Sequence, residues 1–404
     1  MKIVRVPALT GLRFVAAMMV LIGHGLYAAH FAADTMTSRI LDPLPSMGMT
    51  LFFVLSGFVM WVNYAQSFRE RFWSSLWRFG VARFARLYPL YLAIGLFILL
   101  WRHWAKLPTE LPDAWLFIPL MQAWIPGSIP ASAAFAIPQL GHTWSISVEM
   151  FLYLCFPAIA LLMIGLRSRP VLLGFALLNA LVFFVGIWCY VDHIPDLAAH
   201  LAPGLSPEAA NMWIGYYSPI TRISEFVAGC VVAAIIVQSK TGETPGWQAL
   251  GLVACIAGLV FVVALYSTPI GLSHQTLTAV QRSGSVAGFS YLIWFLARFD
   301  SRPARLLSAP VMIGAGEISY SIYLLHPFIV SRFVRPEMNL PAAHYGLWLV
   351  VMAMAIGAVI VASSVTWALI EVPCRRWLRN TLARTQTRGL AERAGLEPQL
   401  DRRV

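Results

Sequence analysis

What most narrows the folding of this chain is the recurrence of apolar runs about as long as a bilayer is thick. Ten such runs can be marked, at residues 8–28, 45–64, 86–101, 144–165, 171–191, 219–238, 247–266, 279–298, 310–331 and 346–370. At a rise of about 1.5 Å per residue, runs of this length carry a helix across a hydrocarbon core of roughly 30 Å. A backbone in lipid has no water to bond, so each segment must satisfy its own polar groups, as a helix does. The whole chain is 59% hydrophobic and only 12% charged, about half the charged share of an ordinary soluble domain. The sequence therefore predicts an all-α, polytopic membrane helical bundle with about ten transmembrane helices.

The remaining charge reports on topology. The formal net charge is +11 over 404 residues, but the Lys and Arg residues fall in particular loops instead of forming one basic face. No nucleic-acid motif accompanies them, so no nucleic-acid partner is expected. Arg69, Arg71, Arg78 and Arg83 separate the second and third runs. Arg298, Arg302 and Arg305 follow the eighth, and Arg375, Arg376, Arg379, Arg384 and Arg388 follow the tenth. These loops alternate with sparser or acidic ones, such as Asp192 to Glu208. By the positive-inside rule both termini are expected in the cytoplasm, with Arg332 and Arg335 as minor exceptions. The first run carries Arg13 and His24 and is followed by many others, so an uncleaved helix is expected there and not a signal peptide. Residues 1–380 are expected to form the transmembrane domain. Residues 381–404 form a charged tail, either a frayed helix or disordered. The Pro-rich stretch from Trp101 to Thr143 contains an apolar patch, Ala114 to Met121, that fits either a re-entrant segment or a loop on the membrane surface. The five cysteines form no CxxC pair, and neither a disulfide framework nor a metal site is expected.

Ionisable side chains inside the hydrocarbon are expensive, so each is a candidate for function. Counted along their helices at about 1.5 Å per residue, His24 lies roughly 24 Å and Glu149 roughly 22 Å from the inner face. Glu225 and His326 fall at similar depths, with Arg222 and Arg282 slightly further out. One layer in the outer half of the membrane thus collects polar groups from several helices. Arg13 and His24 are eleven residues apart in sequence, close to three helical turns, so both project from one face about 16 Å apart. That spacing suits a cavity entered from the cytoplasm, with Arg13 at its mouth and His24 deep inside. Arg83 and Arg86 lie at the same cytoplasmic face, as anchors or as bidentate donors to phosphate. A neutral His can take a proton from an attacking hydroxyl near pH 7, and a neighbouring carboxylate can orient it. Glu149 is the candidate by depth, although a pairing with Arg222 or Arg282 that merely holds helices together competes with this role. Glu317, nearer the inner face, fits a packing ion pair.

Five motifs in order then resemble the acyltransferase-3 family of bacterial membrane proteins. They are Arg13 to His24, LFFVLSGFVM (Leu51 to Met60), RFARLYPLY (Arg83 to Tyr91), HTWSISVEMFLYLCFP (His142 to Pro157) and ISYSIYLLHP (Ile318 to Pro327). The resemblance covers about residues 7 to 380. It implies an O-acyltransferase of the bacterial cytoplasmic (inner) membrane that takes an acyl group, by default acetyl, from cytoplasmic acyl-CoA to a hydroxyl of an envelope carbohydrate or lipid-linked sugar. Acyl-CoA is then a co-substrate, and no permanently bound cofactor is implied. His24 would be the catalytic residue. Arg13, Arg83 and Arg86 would serve the CoA side, with Ser56 and Gly57 shaping the cavity around the pantetheine arm. Trp144, Ser145 and Glu149 would line the acceptor side, as would His326, and the depth of Arg222 and Glu225 adds these two. Many relatives carry a further soluble hydrolase-like domain, and none is expected here. The competing readings are a proton-coupled secondary transporter or flippase, since His and Glu in one layer also build proton relays, and a structural membrane subunit. No internal repeat of the transporter kind is evident.

Overall fold

The computed structural model describes residues 6–28, 43–106, 117–125, 138–166, 168–193, 206, 213–239, 242–267, 274–334 and 345–378. The charged tail and most of the Pro-rich and acidic loops named above lie outside them.

The described chain is helical. The long helices are α1 (Pro7–Ala28), α2 (Leu44–Glu70), α3 (Phe72–Trp104), α4 (Trp144–Ile164), α5 (Arg169–His193), α6 (Pro219–Val237), α7 (Gln248–Ser267) and α8 (His274–Arg298). The short α9 (Arg302–Leu307) and α10 (Pro310–Glu317) lead into α11 (Ser319–Phe333) and α12 (Tyr345–Thr366). Among the described residues no strand forms, only a single bridge between Glu243 and Phe299. Among the described residues, eight helical segments are long and apolar enough to cross a membrane. The two other expected spans correspond to α8, which carries Gln281 and Arg282, and to the α10–α11 pair, neither half of which is long enough alone.

Two expected boundaries are corrected. The helix of the third run begins at Phe72, not near residue 86, because Phe72 to Ala85 contains no proline and buries Ser75, Phe79 and Ala85 against the bundle. Phe79 on this turn packs on Tyr64, Phe68 and Phe156, so Arg83, expected between the runs, projects from the same helix as Arg86. The ninth span is split at Ile318. Gly314 and Gly316 weaken the helix there, and Gly316 lets α10 approach α1 so closely that a Cβ would overlap the Thr10 carbonyl.

Exposure sorts the helices by layer. In α2, 72% of the apolar window is buried within the protein, against 11% in α5 and in α7. The exposed faces of α5 and α7 present Leu177, Leu178, Leu181, Val253 and Val260, the composition expected of a lipid-facing surface. At the centre, α2 packs against α1 and α6. Lipid tails supply no hydrophobic drive between helices, so close approach matters more here than in water. A Cβ on Gly57 would collide with the Phe226 carbonyl of α6, and one on Gly229 with the Val54 carbonyl of α2. Between α3 and α4, residues 117–125 fold inward. The Phe117 ring stacks on Tyr91 at 4.0 Å, and its carbonyl accepts from the Tyr91 hydroxyl at 2.7 Å. Gln122 donates to the Thr143 carbonyl at 3.0 Å. Of the described part of the apolar patch, Phe117 and Leu120 pack into the bundle, while Ile118 and Met121 stay exposed.

Candidate active site

The ionisable groups that the sequence places at one depth divide into three clusters. The first joins α1 to α11. Nδ1 of His24 lies 2.7 Å from Nε2 of His326, and Nδ1 of His326 lies 2.7 Å from the Tyr323 carbonyl oxygen one turn earlier. His326 is fully buried and His24 is partly exposed. Ser145 donates to the Tyr323 hydroxyl at 2.6 Å, and that hydroxyl donates to the His142 carbonyl at 2.6 Å. The His142 ring stands 5.5 Å from that of His326.

The second cluster lines a pocket of about 660 Å³, counted with its open mouth, whose walls come from α1, α2, α3, α4 and α11. Arg13, Arg83, Arg86, Ser56, Ser145, Glu149 and Tyr323 all face it. Ser56 donates to Glu149 at 3.4 Å, and the Tyr153 hydroxyl donates to the same carboxylate. Glu149 and Tyr153 are four residues apart and so share one helical face. Arg83 donates to the Tyr64 hydroxyl at 2.9 Å, and its guanidinium lies over the Tyr64 and Tyr153 rings. Its Nε and Nη1 atoms are buried and have no protein partner. A larger vestibule of about 1350 Å³ opens at the end of the bundle where α1 begins, lined by Asn63, Glu317, Trp367, Glu371 and Arg375 among others. Arg13, Val59 and Arg86 border both spaces, so two guanidinium groups stand where vestibule and pocket meet. On the vestibule wall Glu371 accepts from Ser321 and pairs with Arg375 at 3.6 Å. Glu371 ends a π-helical turn, Trp367–Glu371, that continues α12; such turns are frequent at functional sites.

The third cluster is closed. Arg222 and Arg282 hold the same oxygen of Glu225 at 2.6 and 3.0 Å, and none of the three side chains is exposed. Thr50 donates to that oxygen at 3.4 Å. Arg222 donates to the Tyr216 carbonyl, and Arg282 to the Gly215 carbonyl. The Arg222 guanidinium is boxed by Tyr216 at 4.5 Å and by Phe53 and Trp144 at 5.4 Å. Cations held over aromatic faces gain electrostatic stabilisation from the rings.

Arg13, Arg83, Arg86, Ser56, Glu149 and Ser145 thus come together in one cavity. His24 and His326 do not line it. They lie beside its Tyr323 wall, whose ring is 5.7 Å from that of His326. Four expectations change. The group at Nδ1 of His24 is His326, while Glu149 is bonded to Ser56 and Tyr153. Gly57 serves the contact of α2 with α6 and not the cavity. Trp144, Arg222 and Glu225 belong to the sealed ion cluster and do not face the pocket. The partner of Arg222 and Arg282 is Glu225, not Glu149. Tyr153, Tyr323, Glu371 and Arg375 join the cavities without having been singled out for them. Their spacings of three or four residues from His326, Glu149 or each other were the available signal.

Comparison with known proteins gives the chain a family. The model of a family described as "Acyltransferase domain" matches residues 6–367. The chain is 31% identical over 391 residues to a protein of Streptomyces mycarofaciens named acyltransferase MdmB, with 93% of each chain covered. It is 23% identical over 351 residues to the peptidoglycan O-acetyltransferase OatA of Listeria monocytogenes, covering 82% of this chain and 51% of the relative. The chain thus spans nearly all of the first relative and about half of the second. No solved structure matches.

Proposed function

This chain belongs to the acyltransferase-3 family, and from that premise we propose that it carries an acyl group, acetyl by default, from cytoplasmic acyl-CoA to a hydroxyl of an envelope carbohydrate or lipid-linked sugar. The observation that carries the proposal is that the two cavities share Arg13, Val59 and Arg86 in their walls. A wide vestibule and a smaller pocket have Arg13 and Arg86 in common, and the pocket has Tyr323, beside the histidine pair, in its wall. A long thioester needs such an arrangement, with an anionic head that stays wide of the bundle and an arm that threads inward. Arg13, Arg83 and Arg86 supply bidentate donors for phosphates, and the orphaned nitrogens of Arg83 are donors that an anion would satisfy. Buried donors without partners are uncommon in folded proteins, and each calls for an explanation.

In the chemical step His24 takes the proton of the acceptor hydroxyl as its oxygen attacks the thioester carbonyl carbon. The carbon–sulfur bond breaks, the CoA thiolate leaves, and the imidazolium proton balances it. Such general-base assistance contributes about 10²–10⁴-fold. The arginine-rich end faces the cytoplasm in this reading, in keeping with the positive-inside rule, and the protein sits as a multi-pass protein in the bacterial cytoplasmic membrane with lipids around α5 and α7.

The test uses purified protein in liposomes with labelled acetyl-CoA and an envelope lipid and glycan extract. Label transferred to the extract and free CoA released by the wild type, and by neither measure from a folded His24→Ala variant, is the expected result. Neither transfer nor CoA release by the wild type, across several acyl-CoAs, would overturn it in favour of a transporter.

A further inference from the structure

The neighbour of His24 is not the carboxylate that the sequence suggests but a second imidazole, and the hydrogen bonds around the pair leave little freedom in where the protons sit. A carbonyl oxygen only accepts, so the 2.7 Å contact to the Tyr323 carbonyl puts the proton of His326 on Nδ1. A neutral imidazole carries one N–H, which leaves Nε2 of His326 an acceptor. That Nε2 lies 2.7 Å from Nδ1 of His24, so His24 is the donor and its own lone pair is on Nε2. The ring planes differ by 3° and the centroids are 5.0 Å apart. The centroids exceed the nitrogen separation by about one ring width, as in two rings lying edge to edge in a common plane. Face-to-face rings would hold centroids and facing atoms at similar distances. The N–H···N contact therefore lies in the plane of both rings, where the lone pair points.

We infer that His326 is a positioning residue that fixes the tautomer and ring orientation of His24, with the Tyr323 carbonyl as its anchor. Which nitrogen of a histidine is basic is set by what the other one bonds, and here the chain carbonyl→His326→His24 directs the basic nitrogen away from α11. The arrangement does the work of a carboxylate partner without placing a second charge in the layer, where an unpaired charge is costly. The rings of Tyr323 and His142 lie against that of His326, and His326 is fully buried. The inference rests on the reading of His24 as the base.

Two substitutions separate positioning from packing. The terminal amide of Gln reaches where Nε2 of a histidine lies, and that of Asn reaches where Nδ1 lies. His326→Gln retains an acceptor for His24 through its amide oxygen. His326→Asn retains only a donor toward the Tyr323 carbonyl. In the liposome assay His326→Asn is expected to lose kcat by about 10²-fold, the scale of a misoriented catalytic group, with KM for acetyl-CoA unchanged. His326→Gln is expected to stay within about tenfold of wild type, one hydrogen bond's worth of disturbance. Thermal unfolding is followed for both, and rates are expressed per folded molecule. Equal losses in the two variants, no loss in either, or a loss confined to KM would overturn the inference. Failure of the underlying reading looks different, because there the wild type is inactive or His24→Ala is as active as wild type.

Discussion

In the Arg222–Glu225–Arg282 cluster all three side chains have no exposure, and two backbone carbonyls and an aromatic box surround the guanidinium groups. In the His24–His326 pair the inner member is equally buried, but His24 keeps partial exposure and sits beside a pocket. Both lie among packed helices of one membrane bundle and both are made of groups that lipid disfavours. The difference is in how they are completed. The ion cluster is shut off from exposure as a joint between α6 and α8 would be, although Nη2 of Arg222, Oε2 of Glu225 and Nε of Arg282 are left without hydrogen-bond partners. The histidine pair keeps its outer member partly exposed, as a group must be if it is to act on something else.

Removing the basic nitrogen should have the largest effect. His24→Ala is expected to lower label transfer by about 10²–10⁴-fold, with a fall in thermal midpoint worth no more than about 1–3 kcal/mol, the cost of leaving Nε2 of His326 without its donor. Measuring both on the same preparation sets the active half of the contrast. Glu225→Ala should do the opposite. It leaves two buried guanidinium groups facing each other, and breaking a buried ion pair in this way costs about 3–5 kcal/mol. Thermal unfolding in detergent is expected to show the loss, while turnover per folded molecule changes little. Arg86→Ala lies between these two, since its side chain borders both cavities. The loss of a charged hydrogen bond is expected to raise KM for acyl-CoA by roughly tenfold to a hundredfold, with kcat less affected and stability unchanged. Gly57→Ala should be the mildest. The added Cβ meets the Phe226 carbonyl, and overpacking of this kind costs about 1–3 kcal/mol, read as a lower midpoint without a change in KM. A rise in KM would return Gly57 to the cavity.

Much of the architecture could be read from apolar run length, because lipid leaves a chain few choices of backbone. The split of the ninth span escaped that reading. Gly314 and Gly316 count as apolar in a hydropathy window, while their weak helix propensity and the close approach of α1 show only in three dimensions. The layer of ionisable groups was legible too, since depth follows from counting residues. Its division into three clusters was not. Depth is one coordinate, and Glu149, Glu225 and His326 can share it while facing different neighbours around the bundle. The pairing therefore went to the nearest carboxylate by depth, Glu149, when the structure gives His24 an imidazole and gives the arginines Glu225. The arginines were easier. Arg13, Arg83 and Arg86 lie near the mouth of a cavity whose walls their helices form, and little rearrangement separates their sequence positions from their place around it. Gly57 was placed by its motif beside Ser56, yet adjacent helical residues point about 100° apart, so one faces the pocket and the other faces α6.

The most direct test compares turnover per folded molecule in three proteins: wild type, His24→Ala and Glu225→Ala. Each is reconstituted with labelled acetyl-CoA and envelope extract, and CoA release is followed beside thermal unfolding. The account predicts a folded, inactive His24 variant and a more strongly destabilised Glu225 variant whose folded fraction still turns over. A Glu225 variant that is stable and inactive, or a His24 variant that still releases CoA, would contradict it.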